Sequence, residues 1–236
     1  MSLLSMCQAA LEQLDSVEVP ASIVGNSNQT AKQMLRLANV EGDRLRRRGA
    51  WPVLRSEHTF TTVSGTAAYD LPSDWAAFIN GTWWDRANYW PIFGPATPQQ
   101  WQQLQSGYLG TVGLRRWFTI KGSSLYLYPT PSTTGDTIAF EYRSANWCQS
   151  SGGTGQTEWS ADTDTGVLSE TIMQQGLVWR FLRTKGLPYE EEMADYEALV
   201  IQALGEADPA PKLYLDGPEP DVMNWNVNVP EMGFGA

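Results

Sequence analysis

The sequence predicts an α+β protein. It reads as an antiparallel helical bundle built from N- and C-terminal helices, with an inserted antiparallel β-sandwich or barrel-like domain and an extended C-terminal tail. Three observations predict this. Sustained helical spacing of apolar residues occurs near the two ends of the 236-residue chain. The stretch between is β-branched and aromatic, broken by Gly, Pro and Ser turn signals. The last 29 residues hold five Pro and three Gly without helical period. The expected division is 1–50 and 167–207 for the two halves of the bundle, 51–166 for the β-rich insertion with a long loop at 145–166, and 208–236 for the tail.

Residues 2–14 read as a helix with Leu4, Cys7, Leu11 and Leu14 on one face. Pro20, Gly25 and Asn26 mark a loop over 15–27. Asn28 or Thr30 caps a second helix running to about residue 48, with a stripe of Ala31, Met34, Leu35, Ala38 and Leu45. Gly42 interrupts that stripe at a modest cost. Arg44, Arg46, Arg47 and Arg48 suit the negative end of the helix dipole, and Gly49 suits a left-handed cap. Trp51-Pro52 prevents continuation.

Strands are expected over 53–62, 78–84, 114–120, 125–128 and 137–142, with a strand end at Tyr69-Asp70. Lys121-Gly-Ser-Ser124 is a hairpin turn, and Thr97 caps a short helix over 97–105 with Pro98 in its first turn. Residues 145–166 are rich in Ser, Gly, Thr and Asp, so a loop of that length is functional or mobile. Ser169 caps a helix that ends at Gly186. Pro188 opens the last one, whose stripe is Tyr189, Met193, Tyr196, Val200 and Ala203. Glu190, Glu191 and Glu192 fill its first turn, where the dipole favours acids.

Charge narrows the function. The net charge is −10, and residues 1–186 are neutral with 15 acids and 15 bases. Residues 187–236 carry eleven acids and one base, Lys212. Such a chain lacks the basic footprint that phosphate contacts require. An acidic end segment either meets a basic partner or only keeps the chain in solution. Cys7 and Cys148 have neither metal-ligand spacing nor a disulfide framework, so they read as buried thiols. No signal peptide and no membrane-spanning run is expected.

Catalytic chemistry finds little support. The single histidine, His58, reads as the polar face of a strand and has no evident partners. Asp162 and Asp164 offer oxygen ligands for a hard cation but lack an EF-hand pattern. Asp70, Asp74 and Asp85 could pair for glycoside hydrolysis, although they read better as turn caps. Gly152-Gly-Thr-Gly155 has no following Lys-Ser/Thr and is a loop. The Arg44–Arg48 cluster can touch phosphate, pair with acids on a neighbouring subunit, or complement its own helix end. No catalytic residue, metal site or cofactor is expected.

The chain resembles the head-to-tail adaptors of tailed bacteriophages, the group that includes tail tubular protein A. Trp51, Tyr69-Asp-Leu-Pro-Ser-Asp-Trp75, the Thr-Pro-Gln-Gln-Trp within 91–104, Leu125-Tyr-Leu-Tyr-Pro-Thr-Pro131, Ile138-Ala-Phe-Glu-Tyr-Arg-Ser144 and Trp147 carry the resemblance. So does Gly176-Leu-Val-Trp179, leading to Lys185-Gly-Leu-Pro-Tyr189 and an acidic helix. The likeness spans roughly 1–207; the loop at 145–166 and the long tail depart from the shorter members. The resemblance implies a structural virion protein of the head–tail junction, assembled in the host cytoplasm. It implies a homo-oligomeric, dodecameric ring on the portal protein that extends the channel and carries downstream tail or nozzle proteins. DNA would pass through without specific binding. It further implies a tail that reaches the portal, and 29 extended residues reach roughly 95 Å. The expected tail contacts are Tyr214, Val222, Trp225, Val227, Val229, Met232 and Phe234, with Trp225 and Phe234 as anchors. Glu190, Glu191 and Glu192 are candidates for a channel or interface helix. The eleven Trp also fit a carbohydrate-binding or host-adsorption β module, and less well a glycosidase.

Overall fold

The computed structural model describes residues 2–14, 17–107 and 115–207. Among the described residues five α-helices and eleven strands follow one another: α1 (Leu3–Glu12), α2 (Gln29–Arg48), β1 (Arg55–Thr61), β2 (Ala68–Asp70), β3 (Trp75–Phe78), β4 (Trp84–Asp85), β5 (Trp90–Pro91), α3 (Pro98–Gln105), β6 (Trp117–Lys121), β7 (Ser124–Tyr128), β8 (Thr137–Ser144), β9 (Cys148–Gln149), β10 (Gly155–Gln156), β11 (Thr165–Gly166), α4 (Glu170–Lys185) and α5 (Glu190–Ala207). The protein is α+β, and every pairing between these strands is antiparallel.

Local chemistry explains the helix ends. Asn28, not Thr30, caps α2 by accepting the Thr30 N–H at 2.8 Å. Thr97 and Gln100 form a reciprocal capping box on α3. Gly186 closes α4 in the left-handed conformation, at φ 71°. Gly49 does not do the same for α2. Its backbone is extended, and its missing side chain instead leaves room for Leu204 of α5.

The four longer helices share one core with Trp51, Leu54, Trp147, Cys148 and Trp159. In α1 the buried face is Leu3, Met6, Cys7, Ala10 and Leu11, one position round from the expected stripe; Leu4 is only half-buried. Residues 145–166 are thus no open loop. They carry the small sheet β10-β9-β11, and both their tryptophans lie in the helical core. A side chain on Gly42 would sit 2.2 Å from the Trp147 ring, so the interruption in α2 is the slot for that indole.

The β region has its own core. β8 is central, with β1 along one side and β3 and β4 along the other. The second sheet, β2-β7-β6, contributes Phe118, Leu125 and Leu127 to the same cluster as Phe140 and Tyr142. Trp83 lies between them, with its ring centroid 3.9 Å from Phe118 and 3.8 Å from Phe140. The two-residue period of β7 sends Tyr126 and Tyr128 to the opposite face, where α3 covers them with Trp101 and Leu104.

Several boundaries differ from the sequence reading. The strand expected at 78–84 is two strands, β3 and β4, separated by a turn with Gly81 at φ 75°. The strand expected from residue 53 begins at Arg55, after a 3-10 turn over Pro52–Leu54. Leu114 and the tail residues Tyr214, Val222, Trp225, Val227, Val229, Met232 and Phe234 lie outside the described residues.

Candidate functional site

A buried polar cluster joins three helices. Glu41 of α2 is fully buried, although it occupies the apolar stripe between Ala38 and Leu45. Its carboxylate accepts hydrogen bonds from the Arg180 guanidinium of α4 and, at 2.5 Å, from the Tyr196 hydroxyl of α5. Gly176 makes the space, since a Cβ there would meet the Glu41 carboxyl carbon at 2.5 Å. Arg180 also lies over the Trp179 ring at 4.2 Å. Burial, then the neighbouring Glu41, raises the Tyr196 phenol above its ordinary range, so it stays a donor. Each member satisfies another, which is what a buried ion pair needs to hold its geometry.

The arginines at the end of α2 divide. Arg46 and Arg47 both pair with Asp43, at 2.7 and 2.9 Å. Arg48 crosses to α5, pairing with Glu197 and covering the Tyr196 ring at 5.6 Å. Arg44 is exposed and has no ion pair among the described residues. At the start of α5, Glu192 accepts from Gln175 of α4, while Glu190 and Glu191 are exposed.

The acids considered for chemistry hold structure. Asp162 accepts the N–H groups of Ile23 and Val24, at 3.1 and 2.8 Å. Asp164 accepts those of Ser160 and Ala161, both at 2.8 Å. Asp74 takes the hydroxyls of Tyr142 at 2.7 Å and Ser144 at 2.6 Å. Burial and then this bond to Asp74 push the Tyr142 phenol up to about 12. Asp70 is exposed on β2. His58 is not on the polar face of its strand. The period of two places it beside Phe60, with its ring 5.4 Å from Phe140. Burial there lowers its pKa and favours the neutral ring. Cys7 and Cys148 are buried free thiols, pushed up to about 12 mainly by desolvation.

One surface was missed by the sequence reading. The β4–β5 hairpin displays Tyr89 at 84% exposure and Trp90 at 54%, with Trp84 and Phe93 also exposed nearby. Tyr89 has φ 60°, a conformation costly for an aromatic residue. A buried carboxylate holds the turn in place. Asp85 accepts the N–H groups of Ala87 and Asn88 and the Asn88 side chain, and pairs with Arg116 at 2.6 Å. Arg116 reaches on to Asp136 at 2.5 Å, and its hydrogen bond holds the Asp136 carboxyl below the usual carboxylate range. The sequence signal was the cluster Trp83-Trp84 and Tyr89-Trp90 around Asp85. Alternation alone could not say which rings face out.

No helix among the described residues is long and apolar enough to cross a membrane. Nor do any three His, Cys, Asp or Glu side chains among them gather as metal ligands. The family model described as SU10 adaptor protein matches residues 1–219. The chain belongs to the SU10 adaptor protein family. No curated protein matches it in sequence. The resemblance to phage head-to-tail adaptors therefore stands, and the match covers every described residue of this adaptor. It runs past the end of α5 and stops before Val222, Trp225, Val227, Val229, Met232 and Phe234.

Proposed function

We propose that this adaptor is a structural, non-enzymatic part of the phage neck. Copies assemble as a ring on the portal, extend its channel and offer a platform to the next tail component. The carrying observation is the family match over the whole described fold. The side-chain chemistry agrees: Asp74, Asp85, Asp162 and Asp164 are bound to backbone N–H groups, hydroxyls or arginines. In this reading residues 1–50 and 167–207 form the bundle that packs between subunits, and 51–166 is the insertion. The tail at 208–236 latches onto the portal through Trp225 and Phe234. The test is whether the purified chain adds mass and length to portal rings of the same phage in negative-stain images. Unchanged rings sink the proposal.

The rigid aromatic hairpin is the platform surface in this account, since aromatic side chains on a held backbone lose little entropy on binding. Replacing Tyr89 and Trp90 together by Ala is expected to leave portal binding intact and to weaken attachment of the tail component at least ~10-fold, as for a pair of hot-spot residues. The same exposed rings are what favours the second reading, a carbohydrate-binding module. Saturable sugar binding by the monomer, lost in the same double variant, would support that reading instead.

Glu190, Glu191 and Glu192 are assigned to a surface that repels phosphate along the channel. Changing all three to Gln is expected to slow DNA ejection measurably at low salt, with the difference shrinking as salt screens the field. Ejection at the parental rate under both conditions removes α5 from the channel wall.

A further inference from the structure

We infer that residues 209–215 fold back in cis into an apolar cleft beside the end of α5. The cleft, of about 690 Å³, is lined by Trp51, Val53, Val167 and Leu168 together with Ala203 and Glu206 of α5. Val53 is 60% exposed there, beside the buried Trp51 and Leu168. The lining is mostly apolar, and covering it removes that surface from water.

Four observations select this occupant. Glu206 lines the cleft and Pro209 follows it three positions on, so the segment is covalently tethered at the cleft wall. The departing sequence is Asp208-Pro-Ala-Pro-Lys-Leu-Tyr-Leu215, in which Leu213, Tyr214 and Leu215 supply apolar side chains. Lys212 is the one base after Gly186, and Glu206 lines the cleft. The family match continues to residue 219, so it takes in this segment and leaves out the distal tail.

Physical cost favours the same answer. Six extended residues carry Leu213 roughly 20 Å from Ala207, and a linker this short gives an effective concentration in the millimolar range. Pro209 and Pro211 restrict the free segment and reduce the entropy lost on docking. The clip removes Tyr214 from the set of portal contacts. It also sets the point from which 220–236 departs. It needs no portal, so it can fail or hold independently of the adaptor reading.

Hydrogen exchange measured by mass spectrometry on the full chain, without portal, tests the clip. Amides of 212–215 are expected to exchange at least ~10-fold more slowly than in a free peptide of the same sequence. Val53→Asp, and separately Leu213→Asp, should return them to the free rate while α2 keeps its protection. Free-rate exchange in the parental chain overturns the inference, as does slow exchange that neither variant changes. Protection that grows with protein concentration assigns the cleft to a neighbouring copy and overturns the cis placement.

Discussion

Glu41→Ala is expected to destabilise the fold by about 3–5 kcal/mol, the usual cost of leaving a buried ion without its partner. The variant strands the Arg180 guanidinium in the helical core and leaves the Tyr196 hydroxyl without its acceptor. For a chain of this size the thermal midpoint should fall by roughly 6–20 °C. The pair itself need not be worth that much. Its Coulomb energy is offset by the desolvation of both ions, so the double variant Glu41→Leu/Arg180→Met should recover most of the loss. Urea unfolding of the three proteins separates these terms. A loss below about 1 kcal/mol in Glu41→Ala would mean that Arg180 finds water instead, and that the three helices are not joined there.

Trp147→Ala should cost about 3–5 kcal/mol, because a fully buried indole leaves a cavity that a helical core fills poorly. The companion is Gly42→Ala. Its new methyl would lie 2.2 Å from the ring, so about 1–3 kcal/mol is expected from overpacking. The two effects should not add. In the Trp147→Ala background the Gly42→Ala change should cost little, since the clashing ring is gone. Equal costs in both backgrounds would show that Gly42 serves the helix in some other way. The outcome matters for assembly, because Trp147 and Trp159 tie residues 145–166 to the helices.

What the sequence disclosed followed the range of each signal. The capping of α3 and the turn between β6 and β7 depend on residues three or four positions apart, and both appear as read. The stripe on α5 was readable for Tyr196 and Val200, while Met193 is exposed. The two-residue strands β4, β5, β9, β10 and β11 carry too few residues for any period to show. His58 has a polar side chain, but its register with Phe60, and not its residue type, decides the face it takes. Glu41 and Arg180 do carry a signal in the sequence: each is a charge inside an apolar stretch, three or four helical positions from core residues. Gly42 and Gly176 were unreadable alone, since the groups they admit come from distant parts of the chain. The aromatic hairpin was half legible. Its rings were visible in the sequence, but their exposure depends on the Asp85–Arg116–Asp136 bridge, which joins three separate segments.

The proposed function turns on one physical event, the docking of this adaptor on a preformed portal by means of its tail. The direct measurement mixes portal rings of the same phage with the full chain and, in parallel, with a chain stopped after Ala207, followed by negative-stain imaging and mass measurement. The full chain is expected to lengthen the ring and add mass, and the shortened chain to fail. Binding by both would move the contact to the helices and refute the tail as latch. Binding by neither, to a portal that is otherwise well formed, would contradict the assignment of a portal adaptor.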